Sequence, residues 1–584
     1  MHLAKIVKDF LPPEADAAGF YGNYLRQGVL LLILSIPSLY IFLTVPPLWR
    51  DEDAFNEIVS TFAPKGIIHY LPGYCLGGRL IVSAGSIVAG LLGGHGVPQL
   101  SIDATPITDA GIGTLIVAQH LFLILSLFYA VRKLSDYFPI RVLIALAFAL
   151  TPWIYIYANC IGSEGFSNPL VYLISAWGWS FLRTAELNRP KVLFYFGLLL
   201  AAALTRQINM LLATCLPIAL APLAGKELIL CGGTANLAIG QSRFHFTRRF
   251  LLFVVVGLAA IGTSLFVQQT MCWLFRVPFR STFGETFQYR LSYLHGLPEQ
   301  ERSVILSRIS RELADPVATE ALRALNRSLN QGDDWANMFL YYKIDEILAQ
   351  SGFAEAQNRN WQVDLKLNRI AAGVLLSGDP KFLEVVWASF VISPFFAQTD
   401  LASAPFELTD WLQKRLANPR YERLRGLASF QHETGYYNTA WQRIPYLHLF
   451  ERIPMLEMAC VTIGFAIAFA GLAIIGVYRD PVTEAGILYA AGMIVAGLLV
   501  SFATCLSTYF QARLYLPLYS LFQMSMLLAI SLGGGNRSGQ NGQFEKIAPE
   551  TGFLKTAANL REEAFNLHRF RIFATFPILY SGDI

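Results

Sequence analysis

Long apolar runs recur along this chain, separated by shorter polar stretches. About ten of them could cross a hydrocarbon core as helices, which takes roughly 20 residues each. Together they predict an all-α polytopic membrane protein. The runs lie near residues 28–47, 111–131, 140–158, 165–182, 191–205, 208–223, 250–272, 454–477, 484–506 and 512–531.

The segment from Gly66 to Gly94 is also apolar, but Pro72, Arg79 and repeated glycines interrupt it. Proline and glycine disfavour a long uninterrupted helix. We therefore expect short helices that lie in the membrane interface, within a first outer loop of residues 48–110.

The composition becomes charged and mixed from Arg276 to Arg452. Leucine and isoleucine recur there at spacings of three and four, for example over 303–313 and 318–329, which predicts amphipathic helices rather than strands. The expected domains are a membrane module (1–272), an outer helical insertion (273–452), C-terminal spans (453–532) and a cytoplasmic tail (533–584). Most tryptophans of the insertion are expected in its core, with stacking on sugar rings as the alternative: Trp335, Trp361, Trp387, Trp411 and Trp441.

Composition agrees with a membrane protein. Hydrophobic residues make up 54% of the 584 residues and charged residues 15%, and the mean hydropathy is +0.44, which is too apolar for a soluble chain of this length. A net charge of +4 gives no reason to expect a nucleic-acid partner. The seven cysteines form no CxxC pair, which argues against a zinc site or a disulfide framework.

Basic residues set the expected orientation, because lysine and arginine concentrate in cytoplasmic loops. With 66–94 in the interface, the basic loops fall on one side of the membrane. The protein is expected in the inner membrane of the cell, with both termini in the cytoplasm. If 66–94 were a full crossing, every later loop would invert. Basic residues that define this side include Lys5, Lys8, Arg132, Lys133, Arg183, Arg189, Arg248, Arg249 and Arg479.

Four polar features then fall together on the outer face. An arginine beside an apolar span is costly unless an anion accompanies it. The arginines could form structural salt bridges with the acids or contact lipid head groups; alternatively, a phosphate could lie among them. The features are Asp51-Glu52-Asp53, Ser163-Glu164, Thr205-Arg206-Gln207 and Arg513.

These residues carry a resemblance to a known superfamily. The pattern resembles the GT-C glycosyltransferases, in particular the lipid A aminoarabinose transferases and the protein O-mannosyltransferases, over about residues 25–272 and 452–531. The resemblance rests on motifs in the same order: Trp49-Arg50-Asp51-Glu52, His69-Tyr70-Leu71-Pro72-Gly73-Tyr74, Ser163-Glu164, Leu204-Thr205-Arg206 and Arg513-Leu514-Tyr515-Leu516-Pro517.

The resemblance implies a GT-C-like bundle and sugar transfer from a polyprenyl-phosphate donor to a glycan, lipid or protein hydroxyl at the outer face. Asp51 is the expected general base, since a hydroxyl must lose its proton as it attacks. Arg206 and Arg513 are expected to bind the leaving phosphate. Glu52 and Glu164 would orient substrate or hold Mg2+ or Mn2+, although no catalytic metal is the expectation. Substrate contacts are expected from Asp53, His69, Tyr70, Ser163 and Tyr515.

Two other classes of function stay open. A transporter or flippase of lipid-linked sugars would show charged or broken helices near the bilayer midplane and internal repeats. A non-catalytic envelope assembly protein would use the insertion to bind a partner, and the acids would only cap helices. No glycine-rich phosphate loop follows a predicted strand, so a nucleotide-sugar donor is unsupported.

Overall fold

The fold is known from a computed structural model. The structure describes residues 17–49, 58, 72–93, 106–184, 189–214, 217, 239–274, 283–313, 315–330, 339–352, 356–393, 398–430, 433, 435–451, 481–508 and 512–535. The chain divides into compact units of residues 1–533 and 534–584. All contacts described below lie within the first unit.

The described residues are overwhelmingly helical, as predicted, and two strands of two residues each pair in parallel. The N-terminal part contains α1 (Ala17–Thr44), β1 (Leu48–Trp49), α2 (Pro72–Leu92), α3 (Asp109–Leu134), α4 (Phe138–Ala149), α5 (Pro152–Ala158), β2 (Cys160–Ile161), α6 (Glu164–Thr184), α7 (Arg189–Thr205), a 3-10 helix (Gln207–Thr214) and α8 (Ile239–Leu274).

The insertion and the C-terminal part follow. They contain α9 (Phe283–Phe287), a 3-10 helix (Gln288–Gly296), α10 (Glu299–Leu313), α11 (Pro316–Asn330), α12 (Phe339–Gln350), α13 (Ala356–Ser377), α14 (Pro380–Ile392), α15 (Gln398–Lys414), a 3-10 turn (Pro419–Tyr421), α16 (Glu422–Arg425), α17 (Tyr436–Gln442), α18 (Pro445–Glu451), α19 (Pro481–Ser507), a 3-10 helix (Ala512–Tyr515) and α20 (Leu516–Gly535).

Five helices among the described residues are long and apolar enough to cross a membrane, and a sixth candidate is a bent pair. The five segments are Asn23–Thr44, Pro72–Leu92, Asp109–Leu134, Leu251–Leu274 and Gly486–Ser507. The described part of the chain is therefore mostly helical and has the long apolar helices of a membrane protein. The predicted run at 454–477 lies outside the described residues.

The run at 140–158 is not the single helix that its composition predicts. It forms α4 and α5, which meet at 64°. The break falls directly before Pro152, which lacks a backbone N–H and disfavours helical geometry at the residue before it. The run at 208–223 likewise begins as a 3-10 helix rather than an α-helix.

The segment at 66–94 also differs from the prediction, because it contains one continuous helix of 21 residues, α2. Pro72 occupies its first position, where a missing N–H costs nothing. Its glycines serve close packing: a Cβ at Gly85 would lie 2.3 Å from Thr114 Oγ1 of α3. Small residues that let two helices approach closely are typical of membrane helix pairs.

Helix α2 is long and apolar enough to be a membrane crossing itself. The expectation of short interfacial helices, which set the predicted orientation, is therefore wrong in form. The orientation of the protein stays a prediction.

The insertion is helical over its described residues, as its apolar spacing predicts. Asp315 caps α11, accepting a hydrogen bond from the Ala318 N–H at 3.2 Å. Its carboxylate also receives Lys366 Nζ from α13 at 2.7 Å and Arg369 Nη1 at 2.5 Å. This buried acid therefore ties two helices of the insertion together.

The tryptophans of the insertion are not mostly core, contrary to the expectation. Trp361, Trp387 and Trp411 are 36%, 61% and 38% exposed. Trp387 lies on α14, which also exposes Leu383 and Val391 and packs against the candidate span α19. An exposed aromatic residue beside a span is typical of the membrane interface. Trp335 lies outside the described residues.

Candidate functional site

The parallel strand pair brings two distant motifs together. Leu48 is in register with Cys160, and Trp49 with Ile161. Asn159 fixes the same junction, because its side-chain Nδ2 donates to Val45 O at 3.1 Å and Pro46 O at 3.0 Å. The chain leaving α1 therefore runs beside the chain that enters α6.

A buried polar network supports this pair from α2 and α3. Gln119 Nε2 donates to Ala158 O at 2.9 Å and to Cys160 O at 3.0 Å. Tyr74 Oη donates to Gln119 Oε1 at 3.1 Å and accepts from Gly162 N–H at 2.8 Å. Every backbone group named here is buried, so these side chains satisfy polar groups that would otherwise be costly.

Glu164 and Arg206 form an ion pair beside the network. Arg206 Nη2 lies 3.0 Å from Glu164 Oε1, and the side chains are 9% and 0% exposed. Glu164 is the first residue of α6, where the helix dipole favours an anion. The two residues are thus brought together as the sequence suggests, and the salt bridge that was left open as the structural alternative is present.

Asn209 and Ser167 set the geometry of this ion pair. Asn209 Nδ2 donates to Ala202 O at 3.0 Å, which caps α7, and to Ser167 Oγ of α6 at 2.9 Å. The turn that carries Arg206 is therefore held against the first turn of α6. Ser163, an expected substrate contact, is buried there, and its carbonyl accepts from Ser167 N–H at 2.9 Å.

Asn168 lies one helical turn after Glu164 and is 1% exposed. Both atoms of its side-chain amide are buried, and neither has a hydrogen-bond partner among the described residues. An unsatisfied buried polar group costs about 1–3 kcal/mol. Such a group is unusual in a folded protein, and at a site it is available to a ligand.

A second cationic group lies near the start of α20. Arg290 is 4% exposed and donates to Ser389 Oγ at 3.0 Å, but its Nε and Nη2 have no hydrogen-bond partner among the described residues. Burial lowers the pKa of Arg290 below its ordinary value, an effect that nearby Tyr515 and Cys505 oppose. An arginine remains charged under such conditions.

Tyr515, an expected substrate contact, is fully buried beside Arg290. Its hydroxyl lies 3.0 Å from Cys505 Sγ of α19. Arg513 lies in the same 3-10 helix, two residues earlier, but its side chain lies outside the described residues. Asp51, Glu52, Asp53, His69 and Tyr70 also lie outside them.

The insertion contacts the strand pair directly. Thr409 Oγ1 of α15 accepts from Trp49 N–H at 2.9 Å, and its hydrogen is shared between Trp49 O at 2.9 Å and Pro405 O at 2.6 Å. Phe430 packs edge-on against the Trp49 ring, with centroids 6.4 Å apart. The residue that directly precedes Arg50-Asp51 is thus held by the insertion.

No group of three or more His, Cys, Asp or Glu side chains arranged to hold a metal ion is found among the described residues. Glu164 is engaged by Arg206, which leaves it a poor ligand for a cation. Of the two acids expected to hold Mg2+ or Mn2+ if a metal takes part, Glu164 and Glu52, the second lies outside the described part of the chain.

No protein-family model, curated protein or solved structure matches this chain.

Sequence reasoning missed several residues that shape this site. Gln119, Asn209 and Thr409 are single polar residues within helices, and nothing in their spacing distinguishes them from solvated positions. Arg290 lies in a mixed segment of the insertion, so it gave no signal either. Only its burial, which the sequence does not reveal, makes it unusual.

Proposed function

We propose that this protein is a membrane glycosyltransferase of the GT-C type, with a bundle of about ten spans, which transfers a sugar from a polyprenyl phosphate to an acceptor hydroxyl. The observation that supports this most is the pairing of Leu48–Trp49 with Cys160–Ile161. Asp51 follows Trp49 by two residues, so covalent geometry keeps their Cα atoms within about 7 Å. Paired strands lie about 4.8 Å apart. The strand pair thus favours a common location for Asp51 and the Glu164–Arg206 pair.

In the proposed reaction, the acceptor oxygen attacks the anomeric carbon of the sugar. The bond from that carbon to the phosphate oxygen breaks, and polyprenyl phosphate leaves with the electron pair. Asp51 takes the acceptor proton, a role worth about 10²- to 10⁴-fold in rate. The charge on the leaving phosphate is stabilised by arginine.

The distribution of arginines refines the roles expected from sequence. Arg206 is already neutralised by Glu164, so in this proposal the pair orients the sugar donor. Arg290 and Arg513 are better suited to the leaving phosphate. The supporting observation is that Arg290 is buried beside Tyr515 and has no carboxylate within ion-pair distance among the described residues. The amide of Asn168 is available to a sugar hydroxyl.

The experiment is transfer of radiolabel from a polyprenyl-phosphate sugar in proteoliposomes that contain the purified full chain. Asp51→Asn should lower the rate at least about 100-fold, while Glu384→Gln, an exposed acid of the insertion, should leave it unchanged. Chelation followed by addition of Mg2+ or Mn2+ measures whether a cation takes part. Unchanged transfer in Asp51→Asn would reject Asp51 as the base.

One observation favours the transporter alternative. The 64° break between α4 and α5 interrupts an apolar run, and broken helices often form transporter binding sites. Thr151 at the break accepts from Gln523 Nε2 of α20 at 2.8 Å. A fluorescent lipid-linked sugar that crosses the proteoliposome bilayer without transfer to an acceptor would support this alternative over the glycosyltransferase.

A further inference from the structure

A cavity of about 420 Å³ lies between the beginning of α1 and the turn that joins α3 to α4. Pockets of this size are typical for small ligands. Asn23 begins the candidate span Asn23–Thr44, and Phe138 begins the bent pair α4 and α5. The cavity therefore lies at the ends of two candidate membrane helices, where phospholipid head groups lie. The residues used below are Asn23, Arg26, Gln27, Asp136, Tyr137 and Arg141.

The cavity offers positive charge to a phosphate. Arg26 is exposed, and its guanidinium lies 5.5 Å above the centre of the Phe138 ring. It has no carboxylate within ion-pair distance among the described residues. Helix α4 begins at the cavity with Tyr137 as its N-cap and no side-chain cap. Pro139 has no N–H and the Arg141 N–H donates to Tyr137 O at 3.0 Å, so the uncapped N–H groups of this helix start are those of Phe138 and Ile140, and such groups favour a phosphate.

The cavity also offers hydrogen-bond acceptors. Gln27 donates through Nε2 to Asn23 Oδ1 at 3.3 Å, which leaves its Oε1 pointing away from that bond. This Oε1 is buried and has no donor among the described residues. The Asp136 carboxylate is 70% exposed and lies 3.5 Å from Arg141 Nη2. A buried acceptor and an acid that line the same cavity favour a ligand with a charged N–H donor.

We propose that this cavity binds the head group of phosphatidylethanolamine. The phosphate lies against Arg26 and the start of α4, and the ammonium lies against Gln27 Oε1 and Asp136. This arrangement matches both charges of the zwitterion. It also supplies the missing donor to Gln27. The proposal is independent of glycosyl transfer, because it concerns the opposite end of α1 from Trp49.

The test compares phosphatidylethanolamine with phosphatidylcholine, which carries the same phosphate but no N–H donor. Binding to the full chain in detergent is measured by native mass spectrometry. Because a hydrogen bond to a charged group contributes about 1.5–3 kcal/mol, the wild type should prefer phosphatidylethanolamine by about tenfold or more.

Two variants separate the contributions. Gln27→Met keeps the side-chain length but removes the acceptor, so the preference should shrink toward parity while binding of phosphatidylcholine is retained. Arg26→Gln should weaken both lipids by a similar factor. Lys381→Gln, an exposed residue of the insertion, is the matched control and should change neither. Thermal unfolding without added lipid checks that each variant is folded.

Three results would overturn the proposal. They are equal binding of the two lipids by the wild type, an undiminished affinity in Arg26→Gln, and tighter binding of phosphatidylglycerol than of phosphatidylethanolamine. The last result would indicate simple attraction of an anionic lipid to a basic surface.

Discussion

The buried Glu164–Arg206 pair allows a structural role to be separated from a catalytic one. Its side chains are 0% and 9% exposed and 3.0 Å apart. Replacing one partner of such a pair leaves a buried, uncompensated charge, which costs about 3–5 kcal/mol. Glu164→Gln and Arg206→Gln should each lower the free energy of unfolding by that amount. The double variant should lose much less than the sum of the two, because it leaves no charge buried alone.

The free energy of unfolding can be measured by SDS titration of the full chain in mixed micelles. Arg327→Gln is the matched control: Arg327 lies 2.7 Å from Glu320, but the pair is 66% and 42% exposed. Exposed pairs contribute only about 0–1 kcal/mol. If the single variants of the buried pair cost no more than this control, or if their costs add in the double variant, the electrostatic reasoning is refuted.

Sugar transfer by the double variant then decides the role of the pair. If Glu164 and Arg206 only stabilise the fold, the double variant should recover transfer together with stability. If the pair orients the donor, stability should return while transfer stays low. Each outcome is measured on the same preparation.

Three further predictions concern the elements that surround the site. Thr409→Val should leave the Trp49 N–H unsatisfied and lower the free energy of unfolding by about 1–3 kcal/mol, whereas Thr409→Ser should lower it by less than half of that. Equal losses for the two variants in an SDS titration would contradict the hydrogen bond as the cause. Gly85→Ala should lower the free energy of unfolding by about 1–3 kcal/mol through overpacking. Gly77→Ala on the same helix, where an added Cβ meets nothing within 4 Å, should raise it by up to about 1 kcal/mol through helix propensity. The same SDS titration checks both variants. Burial alone would raise the pKa of Asp315, but hydrogen bonds from basic side chains and a backbone N–H outweigh it, so this pKa lies below its ordinary value. The stabilisation by Asp315 should be complete above about pH 4 and lost as the pH falls through the lowered pKa. Circular dichroism should detect this loss in the wild type but not in Asp315→Asn.

The sequence predicts the class of this fold well. Apolar runs give the positions of α1, α3, α8 and α19 because burial in lipid demands such runs. The helical insertion also follows from its apolar spacing. The breaks are harder to predict, since Pro152 interrupts a run while Pro72 begins a helix, and the difference depends on which neighbours are available.

The candidate site is predicted only in part. Glu164 and Arg206 meet as expected, because Glu164 begins α6 and Arg206 directly follows α7, which packs against α6. The partners that hold them, such as Asn209, depend on side-chain contacts between distant segments, which no local pattern encodes. The exposed Trp387 was misjudged because the same aromatic residue suits both a core and a membrane interface.

The strand pair also has a consequence for biosynthesis. Val45 and Asn159, which meet beside it, are 114 residues apart in the chain. A ribosome adds about 5–20 residues per second, so the first span must wait on the order of ten seconds for its partner to be made. During that time the exit of α1 exposes unpaired backbone groups in the translocation machinery. We expect that the interval makes this segment a natural substrate for membrane chaperones, and that variants which weaken the pairing reduce the yield of inserted protein before they reduce its stability.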